Sequence, residues 1–385
     1  MRPAFLLFFS LAISCSTPSR KIASTAKAPL QLTAEEVDQD LQVLKKALKE
    51  AYIGNYYPQG NHSVTQAIGE IESLQSQPIG PQKLCTELGR ILSKLPDGHI
   101  NVFLGDQVCI ARKPSESNVG SNINDSIAGK SSVPYKLSSF IFESRSIPVL
   151  SFFSFPPDSD PRWKGFESAI VEAKKHPEIV FDLRGCRGGG LGRILQMGKM
   201  LINDTLEHTK RKRIKNNSPA AWILDINLLK MQKDSARRRG VTDLRYYDQT
   251  IAESEESLSK AKLSGAPPFL IDEYQKPEIN HLSYAGRIYV LVDRECGSAC
   301  EMAIEALKLH PHSIFIGQNS AGLIHFGQFI VVNLPNSQVD VGLTQTYFEL
   351  FEEGFYEKIG YPPNIFVPSG DAFDYLKSNV LTSAE

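Results

Sequence analysis

Apolar residues first recur at helical spacing after a polar stretch near the start of the chain. Thr33-Ala34-Glu35-Glu36 has the form of a capping box, and Val37, Leu41, Leu44 and Leu48 follow on one helical face. Similar spacing predicts helices over 64–74 and 81–95, so residues 33–102 read as an N-terminal helical unit. The period then changes. Residues 148–155 form a strand-like apolar run, and Trp163, Phe166 and Ile170 mark a helical face. Residues 178–183 read as a short buried strand, followed by a glycine cluster and a helix through Leu191, Leu195 and Leu201. Strands alternating with helices imply an α/β fold with a parallel sheet.

That order breaks after Ile202. Residues 203–282 are more polar and carry the basic runs HTKRKRIK and ARRRG. Trp222, Ile226 and Leu229 predict one amphipathic helix there, and a second is expected over 251–263. This segment reads as a helical insertion. It is a possible lid whose basic clusters at 210–213 and 237–239 would either attract a peptide carboxylate or form a solvated face. The α/β pattern resumes with strands at 287–293, 313–316 and 328–334. The α/β core is therefore expected over 103–202 and 283–385.

The first residues follow another logic. Arg2 and Pro3 precede AFLLFFSLAI, then Ser14 and Cys15. A positive start, an apolar core and a small residue before Cys form an export signal over 1–14. The run is too short for a permanent membrane span. Residues 11–15 have the form of a relaxed lipoprotein box, which would make Cys15 a lipidation site at the head of a flexible tether, 15–32. The expectation is export from a bacterial cell, as a periplasmic or outer-membrane lipoprotein held to the membrane only by that anchor. A net charge of -1 gives no sign of a nucleic-acid partner.

Six cysteines occur, at 15, 85, 109, 186, 296 and 300. Without Cys15 the number is odd, so one or two disulfides are compatible with at least one free thiol. No CxxC pair and no HExxH is present, so neither a metal nor any other cofactor is expected.

Four segments could carry chemistry. In FDLRGCRGGGLGR, 181–193, glycines at a strand-to-helix turn miss both the GxGxxG and P-loop spacings. They do let backbone N–H groups approach a reacting atom. In LPDGHINVF, 95–103, His99 lies in a turn just before a strand. In DRECGSACEMAIEAL, 293–307, Ser298 stands where a buried strand becomes a helix, as a nucleophile or a plain N-cap. Glu357, before a Gly-Tyr-Pro-Pro turn, could orient an imidazole or be a surface charge.

Taken together and in this order, the segments resemble a family of serine peptidases. It includes the bacterial C-terminal (tail-specific) processing peptidases and the core of the tricorn protease. Asp182 to Gly189 looks like the family's D-L-R-x-N-x-G-G element with Cys186 in place of Asn, and 298–301 looks like its S-A-S-E element with Cys300 in place of the second serine. Residues 97–99 are similar to the start of D-G-H-T. Residues 357–365 are similar to E-G-x-G-x-x-P-D-I, with Asn364 in place of Asp. The resemblance spans 33–202 and 283–376 and implies a crotonase/ClpP-like parallel-sheet core acting on polypeptides.

Departures choose between branches of the family. The tail-specific branch uses a Ser-Lys dyad, but Leu323 stands at the lysine position of the matching stretch 317–324. The tricorn-like branch uses histidine and a carboxylate. The resemblance then implies Ser298 as nucleophile, His99 as base and Glu357 as its partner. The backbone N–H groups of Gly188 and Ala299 are the implied oxyanion hole. That branch also carries a serine before its histidine, where this chain has Gly98, so Ser320 is a possible substitute and His325 a rival base. The chain between His99 and Phe181 is too short for a PDZ domain beside the core elements. Two other readings compete: a non-catalytic binding protein on the same fold, and an acyl-CoA enzyme of crotonase type. Oligomeric state is left open.

Overall fold

The computed structural model describes residues 31–56, 60–110, 133–158, 160–202, 211–238, 240–272, 279, 281–350, 354–368 and 371–383. The expected export segment, Cys15 and most of the tether lie outside them. The chain begins with α1 (Ala34–Glu50), α2 (Gly60–Glu72) and α3 (Pro81–Leu92). The capping box forms as the sequence implies: Glu36 N–H donates to Thr33 Oγ1 at 3.2 Å, and Thr33 N–H donates to Glu36 Oε2 at 2.8 Å. A short hairpin, β1 (Asn101–Leu104) and β2 (Gln107–Val108), follows, then a longer one, β3 (Tyr135–Phe142) and β4 (Arg145–Phe152). Next come α4 (Phe166–Ala173), β5 (Glu178–Asp182) and α5 (Gly192–Leu201). The insertion holds β6 (Arg211–Asn216), α6 (Pro219–Arg238), α7 (Arg245–Ala261) and β7 (Phe269–Asp272). The chain returns through β8 (Arg287–Val292), α8 (Ala299–Lys308), β9 (Ser313–Gly317), β10 (Phe326–Asn333), β11 (Val339–Leu350), β12 (Ile365–Phe366) and α9 (Ala372–Tyr375).

These strands build two sheets. The first has the order β12-β9-β8-β5-β4-β3, parallel except where β3 returns along β4. Its strands alternate between two buried faces. Leu150, Phe152, Ile179, Phe181, Ile288 and Val290 pack under α4, α5 and α8. Val149, Val180, Tyr289 and Leu291 pack under the C-terminal segment around Leu376 and Leu381. Burial on both faces accounts for the near-continuous apolar runs of β5 and β8. This is a mixed α/β fold with a parallel-sheet core.

The second sheet is antiparallel, in the order β2-β1-β11-β6-β7, with β10 on β11 as well. It supports the N-terminal helices: Val37, Leu41, Leu44 and Leu88 share one core with Ile330, Val332, Val341 and Leu343. The single α/β core expected from the sequence is therefore two sheets. The insertion also departs from a purely helical one, because β6 and β7 add to β11 and root it in that sheet. Several of its basic residues face acids, as in the pairs Lys212–Glu349, Arg213–Asp272 and Arg237–Asp234.

A disulfide joins Cys85 on α3 to Cys109 just past β2, closing a separation of 24 residues. Cross-linking across such a loop restricts the unfolded chain. Replacing both cysteines with alanine should lower unfolding free energy by about 3 kcal/mol in urea titrations. An unchanged midpoint would show that helix packing alone holds this corner.

Candidate active site

The resembling segments converge at one end of the parallel sheet. Ser298 follows β8 and opens α8, and its backbone takes φ 59° and ψ -124°. Positive φ is strained for a serine. Its N–H donates to Glu301 Oε2 at 3.0 Å, and its carbonyl accepts Glu301 N–H at 2.8 Å. The turn is held by the Glu301 carboxylate on one side and by a main-chain bond on the other. The Ser298 hydroxyl lies 3.1 Å from His99 Nε2. The structure thus brings the expected nucleophile and base together from positions 199 residues apart.

Gly188 completes the turn on the opposite side. Its φ of +87° suits glycine, and a Cβ built there would lie 2.8 Å from Ala299 N and 2.9 Å from Ser298 Cβ. Any side chain would fill the space in front of the Ala299 amide. The turn is fixed from below by Gly297 N–H donating to the Cys186 carbonyl at 3.1 Å, and by Phe155 N–H donating to the Gly188 carbonyl at 2.8 Å. The Cys186 thiol is buried and pushed up to about 12 by desolvation, which keeps it protonated and inert. Cys296 and Cys300 form a disulfide bracketing the serine.

Three buried carboxylates surround these groups. Glu301 accepts from four donors: Ser298 N–H, Ser320 Oγ at 2.6 Å, and the N–H groups of Gly322 and Leu323, each at 2.7 Å. Burial pushes it up to about 7 against the pull of those donors. Glu357 accepts Gly98 N–H at 2.8 Å on Oε1, and Ile324 N–H and His325 N–H at 2.9 and 2.7 Å on Oε2. Burial, then the nearby charge of Asp97, pushes it up to about 8. Asp97 is pushed up to about 6 by burial. Asp97, His99 and Glu357 each offer a ligand atom within 4.8 Å of the others, as a metal site would. Their oxygens are already committed to backbone and Thr344 donors, which leaves a poor donor set for a cation.

The other expected residues have defined places. Ser320 donates to Glu301 and accepts Tyr361 N–H at 2.7 Å, which commits it to the loop. His325 Nε2 accepts Tyr356 N–H at 3.1 Å, and Nδ1 faces the Phe348 carbonyl at 3.0 Å. That pattern fixes the neutral Nδ1–H tautomer, with the ring stacked on Phe355, and leaves no free lone pair for a base. Leu323 is wedged between the serine and histidine turns: Cβ atoms built on Gly98 and Gly297 would meet its methyl carbons at 2.7 and 3.0 Å. Asn364 Oδ1 accepts Phe315 N–H at 2.8 Å, so an amide serves where the resembling family has a carboxylate. Sequence reasoning assigned no role to Glu301 or Asp97. The Ser-x-x-Glu spacing was the available signal for Glu301.

Replacing Glu301 with Gln would set an NH2 group against two of its four donors. A loss of about 2–4 kcal/mol is expected in urea unfolding. The folded-state pKa lies above the unfolded one, so the folded chain keeps a proton that the unfolded chain releases in between. Stability from this group is full at low pH and falls as pH rises through about 7. The deficit of Glu301→Gln should therefore be largest near about pH 5 and shrink toward about pH 8. A deficit that grows with pH would contradict the placement of this acid.

Comparisons with known proteins bear on the fold and the family. No curated sequence matches the chain at a significant level. Among solved structures, mature CPAF complexed with lactacystin superposes with TM-score 0.54 at 13% identity, covering 91% of this chain and 97% of that one. A candidate peptidase from Parabacteroides merdae gives TM-score 0.53 at 14% identity, covering 86% and 89%. At such identities the likeness speaks for the fold. The model of peptidase family S41 matches residues 147–367, more than half of the sequence and including β5, the Gly188 turn, Ser298 and Glu357. The chain belongs to peptidase family S41, the serine peptidases whose substrates are polypeptides.

Proposed function

We propose that the chain is an exported serine endopeptidase whose Ser298 hydroxyl forms an acyl-enzyme, with His99 as general base. The observation that carries this reading is the 3.1 Å contact between Ser298 Oγ and His99 Nε2, both of them buried. Ser298 Oγ attacks the scissile carbonyl as its proton passes to Nε2. The N–H groups of Ala299 and Gly188 receive the negative charge that develops on the carbonyl oxygen, with removal of one such donor typically costing about 3–4 kcal/mol. His99 then returns the proton to the leaving amine, and a water repeats the sequence to release the acid. Negative charge held by the buried pair Asp97 and Glu357 balances the imidazolium that exists between those steps.

Leu323 supports this reading over a Ser-Lys dyad, because it occupies the space between the two turns with a group that accepts no proton. Both ring nitrogens of His325 face main-chain groups, which supports His99 as the base. The apolar run before Cys15 supports export with a lipid anchor at that cysteine.

A fluorophosphonate probe tests the chemistry. Wild type should label at Ser298, identified by mass spectrometry of the modified peptide, and should cleave an unfolded polypeptide. Ser298→Ala and His99→Ala should each lower cleavage by roughly 10³-fold or more while the fold is kept. A wild-type chain that takes no label, or a Ser298→Ala chain that cleaves normally, would sink the reading.

A further inference from the structure

Asp97 stands behind the imidazole. It is 2% exposed, its Oδ1 accepts the backbone N–H of His99 at 2.7 Å, and the same oxygen lies 4.0 Å from His99 Nδ1. Its Oδ2 accepts the Thr344 hydroxyl at 2.6 Å. Thr344 projects from β11, the strand paired with β1, just past the register that ends at Asn101 and Gly342. The acid is thus braced by the strand beside the one that carries the histidine turn.

The two oxygens of Glu357 are turned to a different task. They accept main-chain N–H groups of Gly98, Ile324 and His325 and so tie the histidine turn to the start of β10. In the tricorn-like branch a serine precedes the histidine. Here a Cβ at position 98 would lie 2.7 Å from Leu323 Cδ2 and 3.0 Å from Glu357 Oε1, so no side chain fits without displacement. The neighbour on the other side of Gly98 is Asp97.

We propose that Asp97 is the positioning carboxylate of His99, aiming Nε2 at Ser298 and stabilising the imidazolium, while Glu357 acts as the brace between the histidine turn and β10. The inference rests on Ser298 and His99 acting as nucleophile and base. The proton accounting is simple. One proton moves from Ser298 Oγ to His99 Nε2 and later to the leaving amine, and Asp97 keeps its charge throughout. The charged and titratable groups around Asp97 are His99, Glu357, Tyr52 and Lys358. Burial raises both acids, and the charge on Asp97 further raises Glu357, so near neutral pH the pair carries about one negative charge, placed on Asp97.

The test uses the full chain and the fluorophosphonate probe, with labelling rates followed against pH for wild type, Asp97→Asn, Thr344→Val and Glu357→Gln, and thermal melting recorded for each. If wild type does not label, the underlying peptidase reading fails. With wild type labelling, Asp97→Asn should label roughly 10²-fold more slowly, and its acid limb should move to lower pH because the imidazolium has lost its adjacent charge. Thr344→Val should move both in the same direction by a smaller amount, roughly 5-fold in rate, since it loosens Oδ2 and leaves the charge in place. If Asp97→Asn does not fold, Thr344→Val decides. Labelling by Asp97→Asn within about 2-fold of wild type, or an acid limb that moves only in Glu357→Gln, would overturn the assignment.

Discussion

The four hydrogen bonds accepted by Glu301 are the contact on which the candidate site depends. One comes from the amide of Ser298 and three come from Ser320, Gly322 and Leu323, so a single carboxylate ties the serine turn to the loop after β9. That loop places Leu323 between the two turns and leads directly to Ile324 and His325, whose amides hold Glu357. Glu357 in turn holds the amide of Gly98, beside the histidine. Relative positions of serine and histidine are therefore set through a chain of main-chain N–H groups and two buried acids. A contact of 3.1 Å between side chains from distant parts of the sequence needs such a frame, because small displacements at a reacting pair are costly.

Burying three carboxylates within one site is expensive unless donors meet them. The donors here are almost all backbone amides of turns, groups that would otherwise need water or a sheet partner. Each acid thus satisfies irregular chain that has no ladder of its own. The same economy explains the strained serine: its φ of 59° is tolerated because both its amide and its carbonyl bond to Glu301.

Much of the fold could be read from periodicity. The capping box at Thr33, the apolar runs of β5 and β8, and the helices α6 and α7 follow from local patterns that burial then respects. The strand β11 is different. Its buried stretch includes Thr344, Gln345 and Thr346, polar residues that look like solvated chain until the strands on either side are known. Strands β6 and β7 were hidden likewise, since a basic sequence such as that around Arg213 and Lys215 becomes interior only with its acidic partners in place. At the site, residues of rare type in a family order were legible: Ser298, His99, Glu357 and the glycine turn. The tasks of Asp97, Glu301 and Leu323 were not, because each depends on what stands opposite in three dimensions.

The span between His99 and Ser298 has a consequence for how the chain matures. The histidine turn leaves the ribosome early and the serine much later, and the Glu357 brace follows both. Between them the two sheets must close, since among the described residues β1 pairs with β2 and with the late strand β11. A nascent or partly folded chain therefore holds the parts of the site without the site. The contact between His99 and Ser298 is thus a product of the completed fold, assembled with the pairing of β1 and β11 and not with any local element.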